Sequence, residues 1–146
     1  MTPPIAASTT ELEAQNEALL NRAAELEALW YSGSRMWHGT SGEPVTGPQT
    51  ATYLENALAL LERKGWEPGA FGLWEVLDGP LDLKGVAVKV LELIICAYTG
   101  AGAAEPRLWD TVPGRTIDQV RTLLLAGAAY ARRHGPTDAA QDAQRA

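Results

Sequence analysis

The sequence predicts an all-α protein, in which a compact three-helix domain follows an N-terminal amphipathic or coiled-coil-like helix. Four segments repeat their apolar residues at spacings of three and four positions, and residues that favour helix starts and ends bound these segments. The chain has 146 residues, of which 46% are hydrophobic and 21% charged, so it can bury one globular core.

The N-terminal helix is predicted at residues 10–31, after a flexible arm at residues 1–9. Thr10 and Glu13 fit a capping box, in which each side chain binds a backbone N–H at the helix start. Leucines and an asparagine then alternate at heptad spacing, which is typical of a two-stranded coiled coil whose buried asparagine fixes the register.

The heptad pattern covers fewer than three heptads, so two hypotheses stay open for this helix. It is either an ordinary amphipathic helix that packs on its own domain or the seam of a homodimer. The interface candidates for the homodimer are Leu12, Asn16, Leu19, Leu26 and Trp30.

A linker loop is predicted at residues 32–50, which hold four glycines and two prolines. Trp37 and His38 lie within it. We expect Trp37 to tuck against the core beside an exposed His38, and a ligand-binding role for this pair is the alternative.

The helical domain is predicted at residues 51–135, before a flexible tail at residues 136–146. Its first helix begins at a cap at Thr50 or Thr52 and ends at Gly65, and a turn with a short extended piece at residues 73–77 follows. This helix buries one stripe, formed by Leu54, Ala57, Leu58 and Leu61.

The next helix is predicted at residues 81–100, with Asp82 as its cap, and we expect it to be central and the most buried. Its β-branched residues also suit a strand, but its length and periodicity favour a helix. Its apolar face comprises Val86, Val90, Leu91, Ile94 and Tyr98.

A loop at residues 101–114 leads into the last helix, for which Thr116 and Gln119 form a second capping box. Asp118 suits the positive end of the helix dipole. The core-facing residues of this helix are Ile117, Val120, Leu124 and Ala128.

The stretch from Trp109 to Thr116 is therefore interpreted first as the turn and cap that start the last helix. Trp109 and Arg115 are also a possible anion or partner contact. Unbound N–H groups at a helix start together with an arginine can hold an anion. The alternative is that Arg115 pairs with Asp110 or Asp118.

Two segments, "ALALLERKGWEPGAF" and "LWDTVPGRTIDQVRTLL", resemble a family of small uncharacterised proteins of actinobacteria and their phages. The resemblance covers residues 52–133, and the chain lacks a Cys-containing stretch after a Gly-Arg turn that members often carry. It implies a phage or actinobacterial setting and no known activity. The matching residues are Gly65, Trp66, Gly69, Trp109, Asp110, Pro113, Gly114, Arg115 and Thr116.

No catalytic, cofactor-binding or metal-binding residues are predicted, and the protein is expected not to be an enzyme. The sequence holds no nucleophile motif, phosphate-binding loop or dinucleotide fingerprint. Its two histidines and one cysteine stand at no metal-ligand spacing. Cys96 is expected to be a small buried residue, and a single cysteine suits a reducing, cytoplasmic setting.

Charge and aromatic content favour a protein–protein interaction module. Five tryptophans are available as interface anchors, and the net charge of −6 lowers any general attraction to nucleic acid. The predicted partner is an unknown protein, as for a phage accessory protein that acts on a host factor or in an assembly, with no membrane contact. The alternative is nucleic-acid binding through Lys84, Lys89, Arg107, Arg115 and Arg121.

Overall fold

The computed structural model describes the backbone of residues 9–137 and the side chains of residues 16–137. This part of the chain folds into α-helices and a single 3-10 turn, Arg35–Trp37, which confirms the predicted all-α class. The helices are α1 (Thr9–Trp30), α2 (Gly47–Lys64), α3 (Leu73–Val76), α4 (Leu81–Thr99), α5 (Pro106–Trp109) and α6 (Ile117–His134). None of these helices is both long and apolar enough to cross a bilayer.

The central helix is α4, as predicted, because it packs against α1, α2 and α6. On its apolar face Val86, Val90, Leu91 and Ile94 are at most 2% exposed, and each such burial contributes about 1.5–3 kcal/mol. The prediction is wrong for Tyr98, which is 78% exposed. Tyr98 lies in the last turn of α4, where it lines an open groove.

The most extensive helix pair is α2 and α6. Gly127 on α6 lets the helices approach, since a Cβ there would lie 2.9 Å from the Leu91 side chain of α4 and 3.1 Å from the Leu54 side chain of α2. Thr116 and Gln119 form the predicted capping box at the start of α6.

Helix α1 packs on its own domain, against α4 and α6. Leu20 and Ala23 are buried at 2% and 0% exposure. Ala23 occupies a predicted heptad position and Leu20 does not, so the buried stripe overlaps the predicted seam and adds Leu20 to it. The side chains of Leu12, Thr10 and Glu13, and with them the predicted first capping box, lie outside the described residues.

The predicted linker loop at residues 32–50 is a loop as far as Thr46, with the 3-10 turn within it, and part of this loop is packed into the core. Met36, Trp37 and Val45 are at most 4% exposed, and the Val45 N–H donates to the Trp37 carbonyl. The predicted cap at Thr50 or Thr52 is wrong. Helix α2 begins at Gly47, because Thr46 and Gln49 form its capping box.

Three further local predictions are wrong. Pro80 rather than Asp82 occupies the N-cap position of α4, and the Asp82 carboxylate instead accepts hydrogen bonds of 2.8 Å from the backbone N–H and the hydroxyl of Ser41. The predicted extended piece at residues 73–77 contains the helical turn α3, and the predicted loop at 101–114 contains α5. These two short helices pack against each other, so tertiary contacts stabilise turns that have no periodicity of their own.

Candidate functional site

The loop between α5 and α6 is fixed at its start by Asp110, which is only 2% exposed. One carboxylate oxygen, Oδ2, accepts a hydrogen bond of 2.9 Å from the indole Nε1 of Trp66 and one of 2.6 Å from the backbone N–H of Leu73. A Cβ on Gly72 would overlap this oxygen, so any larger residue there would have to displace the carboxylate. Asp110 thereby joins the two segments that carry the family resemblance.

The end of the same loop is fixed by the start of α6. Gly114 has a φ of 89°, which favours glycine, and the Arg115 N–H donates to the Val112 carbonyl at 3.1 Å. Thr116 then caps α6 through its hydroxyl, which accepts from the Gln119 N–H at 3.2 Å. Arg115 is therefore held by backbone contacts on both sides.

The guanidinium of Arg115 stacks on the indole of Trp109, with its Cζ 3.9 Å from the ring centroid. Its Nε donates to the Trp109 carbonyl at 3.0 Å. The predicted pairing with Asp110 or Asp118 is wrong. Asp110 accepts from Trp66 and Leu73, and no described acid lies within ion-pair distance of Arg115.

Trp109 and Arg115 form one wall of an open groove between α1, α4 and α6, with a volume of ≈ 250 Å³. Its other lining residues are predominantly apolar side chains from the three helices. They are Leu19, Ile94, Ile95, Tyr98, Thr99, Asp118, Gln119, Thr122, Leu123 and Ala126.

The described charged residues that line the groove are Arg115 and Asp118, and they differ in their binding partners. Asp118 forms an ion pair with Arg121, which also donates to Glu62 at 2.7 Å. Arg115 has an aromatic ring and a carbonyl as its partners. The groove therefore presents an apolar surface beside a cation that no described carboxylate neutralises.

Of the α1 interface candidates whose side chains are described, Leu19 is the one that lines this groove. Leu26 and Trp30 are partly buried against the core of the same chain, and Asn16 is exposed. Leu12 lies outside the described side chains. A homodimer through these residues stays a prediction.

A second polar cluster lies at the junction of α1, the 3-10 turn and α6, and sequence patterns do not reveal it. The carboxylate of Glu27 accepts hydrogen bonds from Trp37 Nε1 at 2.9 Å and from the Tyr130 hydroxyl at 2.5 Å. Burial and the nearby Glu27 raise the pKa of Tyr130 far above its usual value. The His134 ring lies 4.7 Å from the ring of Tyr130, and burial followed by Arg133 lowers the pKa of His134.

The basic residues considered for nucleic-acid binding do not form one surface cluster of free cations. Lys84 lies 4.2 Å above the Trp74 ring, and Lys89 donates to the His38 carbonyl at 3.1 Å. Burial lowers the pKa of Lys89. Arg121 is engaged by two acids, and Arg107 is exposed on α5.

The remaining chemical candidates are dispersed. Cys96 is 1% exposed, as predicted, and burial followed by Glu92 raises its pKa. Trp37 is buried as expected, while His38 is only partly exposed, its Nδ1 lying 3.0 Å from the Ser34 carbonyl. In the described part of the chain no three His, Cys, Asp or Glu side chains lie close enough to hold a metal ion.

Comparison of the chain with protein-family models, with curated proteins and with solved structures finds no match. The resemblance to small actinobacterial and phage proteins therefore stays a prediction, although its two segments meet at the contact of Trp66 with Asp110.

Proposed function

We propose that this protein is a non-enzymatic interaction module whose groove between α1, α4 and α6 receives apolar side chains of a partner protein. The observation that carries the proposal is the open apolar groove beside the stacked Trp109–Arg115 pair, with Tyr98 78% exposed at the same place. Tryptophan, tyrosine and arginine are the residues most enriched among the energetic anchors of protein interfaces.

The size of the groove supports a protein segment as the occupant. Pockets for drug-sized ligands span about 300–1,000 Å³ and enclose most of the ligand. This groove is smaller, at ≈ 250 Å³, and is open to solvent, which suits the insertion of a few anchor side chains. Its titratable lining residues are Tyr98, Arg115 and Asp118, and the ion pair of Asp118 with Arg121 offers no free base for catalysis.

Two finer statements belong to the same proposal and come from the sequence alone. One is a phage accessory role, acting on a host factor or in an assembly within the host cytoplasm. The other is a homodimer. Helix α1 does not need a second chain to bury its apolar face, because Leu20 and Ala23 are already buried within the same chain.

The test is a selection of random peptides against the full chain. The peptides have about twelve residues, because this length matches one helix or strand laid in a groove. Binding is then measured for Thr122→Trp, which places an indole in the groove from an exposed position on α6. Ala59→Trp is the matched control, since Ala59 is exposed on α2 and does not line the groove.

We expect selected peptides to bind the wild type and Ala59→Trp equally and to lose affinity for Thr122→Trp. Their binding should also shift the backbone amide resonances of Ile95, Leu123 and Ala126. The proposal fails if no peptide is enriched, or if the enriched peptides bind Thr122→Trp as well as the wild type.

A further inference from the structure

We infer that the groove selects partner segments in which an acidic side chain accompanies the apolar ones, and that Arg115 binds the carboxylate of that side chain. The inference rests on the proposed function and names the chemistry of the partner. Its basis is the position of Arg115 at the wall of the groove together with the hydrogen bonds that its guanidinium has already made.

The guanidinium presents the edge that a carboxylate binds. An arginine has five N–H donors, and Arg115 uses its Nε to bind the Trp109 carbonyl. Among the described residues no acceptor engages its two Nη groups. These two groups form a planar fork that matches the two oxygens of a carboxylate, and such charge-assisted pairs are about twice as strong as neutral hydrogen bonds.

The guanidinium is also held in place before a partner arrives. The indole of Trp109 supports one face of its plane at 3.9 Å, and the buried hydrogen bonds of Asp110 fix the backbone that carries Trp109. An arginine held in this way loses less side-chain entropy on binding than a free one, so more of the contact energy appears as affinity.

Charge complementarity points to an acidic segment rather than a neutral one. The acid that lines the groove with Arg115 is Asp118, which is already bound to Arg121. The whole chain carries a net charge of −6, so its overall field repels acidic partners. Recognition of an acidic group must therefore come from local contact at Arg115, which favours specificity over fast association.

The test uses the peptides selected against the full chain, each synthesised a second time with its Asp and Glu changed to Asn and Gln. Both forms are titrated by calorimetry into the wild type, Arg115→Gln and Arg115→Lys. Arg107→Gln is the matched control, because it removes an exposed cation from neighbouring α5 that does not line the groove.

We expect the groove-dependent peptides to be enriched in acidic residues and to lose affinity by about 10-fold when either their acid or Arg115 is neutralised. Making both changes should cost little more than one, as for two groups that bind each other. Arg115→Lys should recover only part of the loss, since a lysine lacks the fork, and Arg107→Gln should bind as the wild type does.

The inference is overturned if the acidic and neutral forms of the peptides bind the wild type equally, and this comparison holds even if Arg115→Gln disturbs the loop. It is also overturned if Arg115→Lys binds as well as Arg115, because general charge would then suffice. In both cases loss of binding to Thr122→Trp would still support the groove. If sedimentation shows that a second copy of the chain occupies the groove and excludes the peptides, both proposals fail.

Discussion

Replacing Glu27 with alanine tests whether one partly buried carboxylate fastens α1 to the rest of the fold. Its two oxygens bind Trp37 in the segment after α1 and Tyr130 on α6. Trp37 and Tyr130 are 2% and 0% exposed, so their donors have little access to water once the carboxylate is removed.

The expected loss follows from the number of donors left without an acceptor. Each buried unsatisfied donor costs about 1–3 kcal/mol, so Glu27→Ala should lower the free energy of unfolding by about 2–6 kcal/mol. The lower half of this range is the better expectation, because Glu27 lines an open pocket that water can enter. Glu27→Gln keeps one acceptor oxygen and should cost about 1–2 kcal/mol.

Urea unfolding followed by tryptophan fluorescence and by far-ultraviolet circular dichroism measures the loss. Glu17→Ala is the control on the same helix, since Glu17 pairs with Arg133 where the side chains are 42% and 47% exposed. An exposed pair contributes less than about 1 kcal/mol, so this variant should unfold close to the wild type.

The reasoning about Glu27 is refuted if Glu27→Ala and Glu17→Ala unfold at the same urea concentration. The apolar contacts of Leu20 and Ala23 would then be enough to hold α1. A biphasic transition confined to Glu27→Ala would instead show that α1 separates before the other helices, as expected if the carboxylate is its main polar attachment.

Three further predictions concern other buried groups. Gly72→Ala should lower the free energy of unfolding by about 1–3 kcal/mol, because the new Cβ would overlap the Asp110 carboxylate. Gly102→Ala is the control, since Gly102 has open space around it, and it should unfold like the wild type in a thermal melt. Equal melting temperatures for the two variants would contradict the prediction. Burial lowers the pKa of His134 in the folded state, so the unfolded chain takes up a proton first. The stabilisation is present above the unfolded pKa of about 6.5 and should be lost as the pH falls through the folded pKa. His134→Gln should therefore flatten the dependence of the unfolding midpoint on pH below about 7. An unchanged slope in this variant would count against the prediction. The Cys96 thiol should react with an aromatic disulfide far more slowly in the native protein than in urea, because it is 1% exposed and burial raises its pKa; equal rates would show that α4 opens readily.

The longer helices can be predicted from the sequence because their signals are local. Apolar spacing marks α2, α4 and α6, and the Thr116–Gln119 box marks the start of α6. The start of α2 obeys the same rule through Thr46 and Gln49, and only the surrounding glycines and prolines make it resemble a loop. The sequence therefore held the right signal for the α2 boundary.

The contacts between segments could not be predicted, because periodicity shows which face of a helix is apolar and not which partner covers it. Nothing in the sequence pairs Glu27 with Tyr130, which lie 103 residues apart, or Trp66 with Asp110, 44 residues apart. The packing of residues 32–50 depends on such contacts, and so do the short helices α3 and α5. The sequence therefore predicts a loop with Trp37 against the core, but not the contacts with Glu27 and Tyr130 that hold Trp37 there.

The stretch from Trp109 to Thr116 shows how turn residues also build a candidate binding surface. Asp110 points into the fold, where it accepts from Trp66 and Leu73, and this places the neighbouring Trp109 at the groove. The turn and cap then bring Arg115 over that indole.

Arg115 differs from the arginines that join helices. Arg121 and Arg132 on α6 bind acids of α2, so their charges are compensated by contacts that hold the two helices together. Among the described residues, the contacts of the Arg115 guanidinium are with Trp109 at the end of α5, and they orient the guanidinium without neutralising it. Asp118, the acid described in the groove lining, is bound to Arg121, so the guanidinium of Arg115 lies beside the apolar groove without an ion-pair partner among the described residues. The inferred binding of a partner's carboxylate rests on this arrangement.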